Sequence, residues 1–395
     1  MDRRSCVPAP AAMHPAAMTA TDLWQPRASV AAAPAYRPGR SAAQALAETG
    51  IGDALALASN ELPFGPLPSV RQAIVDAAGS VNRYPDPRAL ALRTALAKHV
   101  DVDVERVVVG AGSNALLYQL IHALADGDDD VVFPWPTFEG YAVAVALSGA
   151  RQVRVPLSNH RVDPAALVAA IGERTRLVVI AEPNNPTGTS LSGAELEVLC
   201  EATADRCLLV IDEAYHDFRT GAPIDALALA AAHRHVVVLR TFSKAHGLAG
   251  LRVGYAVADP GVVELIDKVT PPFSVSAMAQ AAAAASIQAH DELRARVAMV
   301  VAERDQLIAG LHAQGWDVPA SEANFVWLPM TDGDATMSMV AGLERHGVLV
   351  RPLPGGVRIT IGEPGTAARV LAALDDVMPP ITMSNARRNK GADHG

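Results

Sequence analysis

The sequence predicts an α/β fold, in which a large and mostly parallel sheet is covered by helices and a smaller α+β domain follows. From about residue 106, apolar β-branched runs alternate with helical patterns, which indicates repeated strand–helix–strand units. These runs are apolar at successive positions, as strands buried on both faces must be. From about residue 275 the pattern changes to two long helices and then short strands. With 395 residues, of which 50% are hydrophobic, the chain is long enough to bury two cores.

The N-terminal part of the chain is less regular. Residues 1–35 are rich in alanine and proline, and we predict that they are disordered. Prolines and glycines prevent long elements over 36–66, where LASNELPFGPLP (57–68) is predicted to be a strand end followed by an extended segment. Two helical patterns follow, at 69–78 and 88–99, with the turn NRYPDPR between them.

Strands and helices then alternate along the chain. The sites of parallel sheets lie beyond the carboxyl ends of the strands, so the residues that follow each strand are candidates for function. The predicted strands of the large sheet are VVVG, VVFPW, RQVRVPL, RLVVIAEP, CLLVIDEAY, HVVVLRTFSK and RVGYAVA. The predicted helices between them are 113–125, 138–147, 164–171 and 193–204. The predicted elements of the smaller domain are NFVWLP, a helix near 337–346, VLVRPL, VRITIG and a helix near 366–377.

These patterns divide the chain into five parts. A disordered extension (1–35) precedes an arm (36–66) that joins the smaller domain. The large domain (67–275), the small C-terminal domain (276–380) and a loose tail (381–395) follow.

Composition argues against several classes of function. The net charge of -9 argues against a nucleic-acid-binding protein, which is usually basic. No uncharged apolar run reaches the roughly 18 residues of a membrane span, and prolines interrupt any signal-peptide core near the N-terminus. The three cysteines, Cys6, Cys200 and Cys207, form neither a disulfide framework nor a metal-ligand pattern. The sequence therefore predicts a cytoplasmic protein without a metal site or a membrane partner.

One lysine differs from the others in its surroundings. Lys98, Lys268 and Lys390 lie in polar or helix-end settings, whereas Lys244 follows the apolar run VVVLRTF and precedes GLAGL. A lysine in such a place loses part of its hydration, which lowers its pKa and favours the neutral amine that attacks carbonyl groups. Arg252, shortly after it, is a permanent cation suited to a phosphate. Taken alone, a strand-end lysine that reaches solvent is the more common explanation.

Four further signals fall at strand ends. GAGSNALL opens a helix directly after a strand, and its glycines and free N–H groups form an anion cradle. PWPTFEGY offers aromatic rings, and EPNNPTGT presents the amide of Asn185. VIDEAYHDF places Asp212 at a strand end, where a carboxylate needs a cationic partner, with Tyr215 three residues on. Each signal is weak alone. Together with Lys244 and Arg252 they supply a phosphate cradle, a stacking ring, an anion for a ring nitrogen and an amine.

In this order the motifs resemble those of the fold-type-I pyridoxal-phosphate aminotransferases, and more narrowly the histidinol-phosphate aminotransferase family. The resemblance covers roughly residues 36–378. ASNELPFGPLPSV, VNRYPD, TFSKAHGLAGLRVGY, ANFVWLP and VRPLPGGVRITIG look most like the actinobacterial branch of aromatic, or phenylalanine, aminotransferases. The resemblance implies the fold-type-I transferase fold, pyridoxal 5'-phosphate as cofactor, and a homodimer with shared active sites.

The resemblance also implies a role for each matching residue around the cofactor ring. Lys244 matches the Schiff-base lysine and general base, and Asp212 matches the partner of the pyridinium nitrogen. Phe138 matches the ring that stacks on the pyridine. Asn185 and Tyr215 match the residues that contact the phenolic oxygen, and Tyr215 joins Lys244 and Asp212 in the implied catalytic set.

The remaining matches concern the phosphate and the substrate. The positions that contact the cofactor phosphate are Ser113, Asn114, Thr241, Ser243 and Arg252. Tyr84 matches a tyrosine that reaches the phosphate from the neighbouring subunit. The positions that hold the anionic end of the substrate are Tyr36, Arg351 and Arg358. Phe64 and Trp135 are candidates for an apolar wall around a substrate ring, with a core position for Trp135 and a loop anchor for Phe64 as the alternatives.

The implied activity is transfer of an amino group from an aromatic amino acid, of the phenylalanine type, to 2-oxoglutarate by a ping-pong aldimine mechanism. Histidinol phosphate is the alternative donor, because its phosphate can replace the carboxylate at the two arginines. An enzyme of a specialised pathway, a decarboxylase and a cofactor-binding regulator also stay open, although 1–35 is too short for a DNA-binding domain. His246, His216 and Glu182 depart from the family pattern. His246 either meets a polar substrate or packs behind the lysine.

Overall fold

The structure is a computed structural model and describes residues 25–34, 52–222 and 224–378. Its strands are β1 Leu55–Ala56, β2 Val107–Gly110, β3 Asp130–Trp135, β4 Arg151–Pro156, β5 Thr175–Ala181, β6 Leu208–Asp212, β7 Val236–Thr241, β8 Gly254–Val257, β9 Phe325–Pro329, β10 Val348–Leu349, β11 Arg351–Leu353 and β12 Gly356–Thr360. Its helices are Ala28–Ala32, Pro68–Ala78, Leu90–His99, Ser113–Leu124, Glu139–Ser148, Pro164–Ala170, Gly193–Thr203, Ala226–Ala232, Pro260–Val269, Ala277–Gln288, His290–Ala313, Gly333–Arg345 and Thr366–Val377. Within these residues, no helix combines the length and apolar character that a membrane crossing requires.

A seven-stranded sheet forms the centre of the larger part, in the order β2-β8-β7-β6-β5-β3-β4. Strand β8 is antiparallel to both its neighbours, and the other pairs are parallel. This confirms the predicted α/β class with a mostly parallel sheet. Successive side chains of a strand point to opposite faces. In β7, Val236 and Val238 enter one core cluster, whereas Val237 and Leu239 enter the other. Both faces are buried under helices, which is why the strand sequences are continuously apolar.

A second core lies around the smaller sheet. Strands β11, β12 and β9 form an antiparallel sheet, and β1 pairs in parallel with β10 through Leu55 and Val348. The N–H of Leu57 donates to the carbonyl of Leu349, and the N–H of Thr360 donates to the carbonyl of Leu57. The segment after β1 is therefore held between β10 and β12, which places Ser59 and Asn60 next to the larger sheet.

Several elements differ from the sequence prediction. The strand predicted as CLLVIDEAY ends at Asp212, because the chain turns there and the Asp212 carboxylate accepts from the N–H of Ala214 at 3.2 Å. The strand predicted as VLVRPL is divided at Val350 into β10 and β11, which pair with different strands. The helices Ala226–Ala232 and Pro260–Val269 were not predicted.

Two findings bear on the predicted division of the chain. Ala28–Ala32, which lie in the range predicted to be disordered, form a short helix, as alanine favours. Ser29 Oγ near its start donates to the carbonyl of Leu147 at 3.4 Å. The helix Ala277–Gln288 packs its alanine face into the core of the seven-stranded sheet, so that core extends beyond residue 275. The domain bounds themselves stay a prediction.

Candidate active site

One cavity of about 520 Å³ lies at the carboxyl ends of the strands of the large sheet. Its walls combine loops that follow β2, β3, β5, β6 and β7 with the segment after β1. The predicted residues that line it are Ser113, Asn114, Phe138, Asn185, Asp212, Tyr215, Thr241, Ser243, Lys244 and Arg252. The structure thus brings together, in a single cavity, ten residues that are spread from 113 to 252 in sequence.

The start of the helix Ser113–Leu124 faces a cation across the cavity. Gly112 precedes it with φ of 93°, a conformation that suits glycine. A Cβ at Gly112 would lie 2.7 Å from Nη2 of Arg252, so the guanidinium approaches this backbone closely. Arg252 Nη1 donates to Ser243 Oγ at 3.2 Å. Free N–H groups at a helix start, two serine hydroxyls and one guanidinium are the donor set of a phosphate site.

Lys244 lies in the same cavity, opposite this cradle. Its Nζ donates to the carbonyl of Ser59 at 3.2 Å, which ties it to the segment after β1. Burial of the side chain, and then the positive charge of Arg358, lower the pKa of Lys244 to about 7, while the Glu61 carboxylate opposes that shift. A large fraction of Lys244 is therefore a neutral amine at neutral pH, which makes it a nucleophile and a proton acceptor.

Asp212, at the end of β6, is buried and bonded to a tyrosine. The hydroxyl of Tyr141 donates to Asp212 Oδ2 at 2.9 Å. Burial raises the pKa of Asp212 to about 6, although this hydrogen bond lowers it. Because only 7% of the residue is exposed, the ionised carboxylate needs a cation inside the cavity to stabilise it. A protonated ring nitrogen would be such a cation.

A hydrogen-bond network joins the two sheets at the cavity. The hydroxyl of Tyr215 accepts from Asn60 Nδ2 at 3.0 Å and from Asn185 Nδ2 at 3.3 Å. Asn185 Oδ1 in turn accepts from Arg358 Nη1 at 2.7 Å. Arg358 Nη2 donates to the carbonyl of Ala58 at 2.7 Å. The larger sheet, the segment after β1 and the smaller sheet are thus bonded to one another at the point where a ligand would sit.

Phe138 is fixed at the cavity wall by its neighbours. Its ring meets that of Tyr141 edge to face, with centroids 5.6 Å apart. A Cβ at Gly140 would lie 2.3 Å from Cε1 of Phe138, so glycine is required where the ring folds over its own chain. The position fits a ring that stacks on a flat ligand.

The structure describes two of the three predicted substrate residues. Arg358 is buried and reaches the cavity through Asn185. Arg351 Nη2 pairs with Glu139 Oε2 at 2.8 Å. Tyr36 lies outside the described residues. Tyr84, predicted to reach the phosphate of the other subunit, is 82% exposed and does not line the cavity of its own chain.

Some residues at the site were missed by sequence reasoning. The cavity also includes Ser59, Glu61, Tyr118 and Tyr141. The tyrosine at position 141 carried a signal, because it lies one helical turn from Phe138 and faces the same side. The segment after β1 carried none, since only the long-range pairing of β1 with β10 brings it to Lys244. Phe64 and Trp135 do not line this cavity of their own chain, and Trp135 carries the guanidinium of Arg154 4.1 Å above its ring; an apolar wall formed by them stays a prediction.

The three unusual residues lie outside this cavity. His246 packs on Phe242, with ring centroids 4.5 Å apart, and its Nδ1 lies 2.7 Å from Ser286 Oγ. Burial lowers the pKa of His246 to about 4, so its imidazole is neutral at neutral pH. Nδ1 of His216 lies 2.9 Å from the carbonyl oxygen of Glu213. Glu182 is buried and pairs with Arg219 at 2.8 Å. Among the residues that the structure describes, no group of His, Cys, Asp and Glu could hold a metal ion.

The comparisons with known proteins agree with this geometry. Residues 52–374 match the family model of aminotransferase class I and II. A protein of Thermobifida fusca named aromatic amino acid aminotransferase is 46% identical over 340 residues, which cover 86% of this chain and 93% of that protein. One of Mycolicibacterium smegmatis with the same name is 47% identical over 340 residues, covering 86% of this chain and 91% of that one.

A solved structure agrees as well. The histidinol-phosphate aminotransferase of Sinorhizobium meliloti, in complex with pyridoxal-5'-phosphate, superimposes with a TM-score of 0.82. It is 29% identical, and the match covers 89% of this chain and 96% of that one. The chain therefore belongs to the class I and II aminotransferase family, has its α/β transferase fold and is an aminotransferase.

Proposed function

We propose that the protein transfers the amino group of an aromatic amino acid to 2-oxoglutarate with pyridoxal 5'-phosphate as cofactor. The observation that supports this most is the placement of the Lys244 amine and the Asp212 carboxylate in one cavity with a phosphate cradle. The names of the relatives from Thermobifida fusca and Mycolicibacterium smegmatis support the aromatic donor.

The residues of the cavity fit the cofactor in three places. Ser113, Ser243 and Arg252 would hold its phosphate, Phe138 would stack on its ring, and Asp212 would hold the proton on its ring nitrogen. When bound, pyridoxal phosphate supplies an electron sink for the electrons released at the substrate Cα.

The remaining chemistry belongs to side chains of the protein. Lys244, with its pKa lowered to about 7, can take the proton from the substrate Cα and return it. Arg358 can bind the substrate carboxylate through two parallel hydrogen bonds, once its guanidinium gives up its hydrogen bonds to Asn185 and Ala58. Tyr215, whose hydroxyl accepts from Asn60 and Asn185, would contact the phenolic oxygen of the cofactor.

Histidinol phosphate is the second candidate donor. The likeness to the Sinorhizobium meliloti structure favours it, because that protein is named histidinol-phosphate aminotransferase. The two arginines opposed on β11 and β12 could hold its phosphate. Its neutral imidazole would then occupy the side-chain pocket.

Kinetics with a panel of amino donors and 2-oxoglutarate test the proposal. We expect kcat/KM for phenylalanine to exceed that for histidinol phosphate, with tyrosine and tryptophan also accepted, since an apolar pocket distinguishes ring sizes poorly. A clear preference for histidinol phosphate would assign the enzyme to that donor instead. Inactivity with the whole panel would indicate a specialised substrate.

We further propose that the protein is a cytoplasmic homodimer with shared active sites. The exposed ring of Tyr84, which stacks on Phe273 with centroids 4.6 Å apart, supports an interface at this surface. Cys200 and Cys207 are free, in keeping with a reducing compartment.

A further inference from the structure

Arg351 and Arg358 lie directly opposite each other on the antiparallel strands β11 and β12. Such partners share one face of the sheet, with Cβ atoms roughly 5 Å apart. Two like charges in this arrangement repel each other unless an anion lies beside them. The two arginines are therefore a ready receptor for an anion, and the charge of the groups around them decides which anion binds.

Glu139 already forms an ion pair with one of these arginines. Its Oε2 lies 2.8 Å from Nη2 of Arg351, whose side chain is only 12% exposed. Glu139 stands between Phe138 and Gly140, both of which line the cavity. Neither member of the pair lines the cavity itself, but the pair lies next to it and connects the helix after β3 to the small sheet.

The position of Glu139 in its helix strengthens the pair. It is the first residue of the helix Glu139–Ser148, where the helix dipole favours a carboxylate. The helix start and Arg351 both favour the carboxylate at this place, although its side chain is 37% exposed. A ligand that needs Arg351 has to move Glu139 or bind next to it.

Carboxylates and phosphate esters differ in what they need from such a receptor. One guanidinium matches one carboxylate through two parallel hydrogen bonds. A phosphate ester carries more charge and a third oxygen, so it gains from a second guanidinium. Arg358 alone therefore suits a carboxylate. A phosphate ester at the same place would be repelled by the Glu139 carboxylate.

We propose that Glu139 is a specificity-determining residue of this enzyme. By pairing with Arg351 it leaves Arg358 to hold a single carboxylate, and it disfavours a phosphate ester at the same place. The selected substrate is an amino acid with one carboxylate and an uncharged side chain. This inference rests on the proposed function, because it explains the choice between its two candidate donors.

Glu139→Gln tests the inference directly. We expect the ratio of kcat/KM for histidinol phosphate to that for phenylalanine to rise about tenfold or more, as removal of a like-charge contact predicts. The change should fall mainly on KM for histidinol phosphate. Glu139→Asp keeps the charge and should stay close to the wild-type ratio. Asp334→Asn is the matched control, because it removes an exposed acid from the first turn of another helix, Gly333–Arg345.

The double variant Glu139→Gln/Arg351→Gln shows whether Glu139 acts through Arg351. The gain for histidinol phosphate should disappear in it, since the guanidinium of Arg351 is what would accept the phosphate. A gain that persists in the double variant, or a ratio that Glu139→Gln leaves unchanged, would overturn the inference.

A binding measurement separates this inference from the proposed function. Cofactor-loaded enzyme reduced with borohydride has a filled cofactor site and no turnover, so titration calorimetry reports the substrate site alone. We expect Glu139→Gln to tighten 2-phenylethyl phosphate about tenfold while 3-phenylpropionate changes little. The inference is wrong if both ligands change alike. The proposed function fails instead if the wild-type enzyme does not use phenylalanine.

Discussion

At the residue scale, the chemistry of the cavity depends on two buried groups with shifted pKa values. Burial lowers the pKa of Lys244 to about 7 and raises that of Asp212 to about 6. Each shift disfavours the charged form in a site that excludes water. The amine is then ready to attack, and the carboxylate is ready for a cation that a ligand brings.

The pKa of Lys244 predicts how capture of the cofactor aldehyde depends on pH. The reactive form is the neutral amine, whose fraction rises by about tenfold per pH unit below 7 and levels off above it. Stopped-flow absorbance with pyridoxal, which carries no titrating phosphate, should show this profile in the cofactor-free protein. Arg358→Ala removes the cation that contributes most to the shift after burial, so its profile should move to higher pH. A wild-type rate that still rises above pH 9 would contradict the assignment.

The residues of the site illustrate what a sequence can indicate. The low pKa of Lys244 follows from its apolar flanks, and the structure agrees in direction. Its second cause, Arg358, comes from a different sheet, and the opposing charge of Glu61 comes from the segment after β1. Tyr141 is bonded to Asp212 across two elements. Partners that are distant in sequence cannot be predicted from the local sequence pattern around a residue.

At the scale of elements, the turn after β5 is held by a buried ion pair. Glu182 follows the strand, and its Oε2 accepts from the N–H of Leu191 at 2.9 Å, which closes the turn that carries Asn185. Its other oxygen pairs with Arg219 at 2.8 Å. Burial raises the pKa of Glu182 to about 7, which shows that the desolvation of this carboxylate costs free energy. We interpret the pair as a means of fixing the turn.

Glu182→Ala should therefore destabilise the protein, because it leaves the N–H of Leu191 and the guanidinium of Arg219 without the carboxyl that accepts from both. Removing one partner of such a buried pair costs about 3–5 kcal/mol. Urea denaturation of the two proteins measures the difference. Arg161→Gln breaks an exposed pair with Glu195 and is the control, with a loss below about 1 kcal/mol. A loss as small as that of the control would show that Glu182 does not hold the turn.

Strands and helices differed in how well the sequence predicted them. All strands of the large sheet were indicated: most are continuous apolar runs between turn residues, whereas the edge strand β4 also carries Arg151, Gln152 and Arg154. The helix Ala226–Ala232 follows Asp225, whose carboxylate caps it, but its seven residues are too short to show a helical period. VLVRPL looked like one strand, and only its pairing with two different sheets divides it.

At the scale of the whole molecule, the substrate site lies where three parts of the chain meet. The large sheet contributes Asn185 and Tyr215, the segment after β1 contributes Asn60, and the small sheet contributes Arg358. A movement of one part against another would change the grip of Arg358. The proposed homodimer would add a fourth part through Tyr84.

Mixed dimers test that contribution of Tyr84. If it completes the site of the other subunit, a heterodimer of Tyr84→Phe and Lys244→Ala protomers carries both changes in the same site. A heterodimer then holds one intact site and should regain activity close to half that of the wild type, measured after unfolding and refolding the mixture together. The Lys244→Ala homodimer is the inactive control. A Tyr84→Phe defect that heterodimers do not relieve would place Tyr84 in its own subunit or outside the site.

The measurement that tests the central claim most directly is the site of cofactor attachment. The protein should turn yellow with pyridoxal 5'-phosphate, and borohydride should abolish the absorption band. Peptide mapping by mass spectrometry should then find the pyridoxyl group on Lys244. Attachment to Lys98, Lys268 or Lys390, or retention of the band by a folded Lys244→Ala protein, would contradict the account.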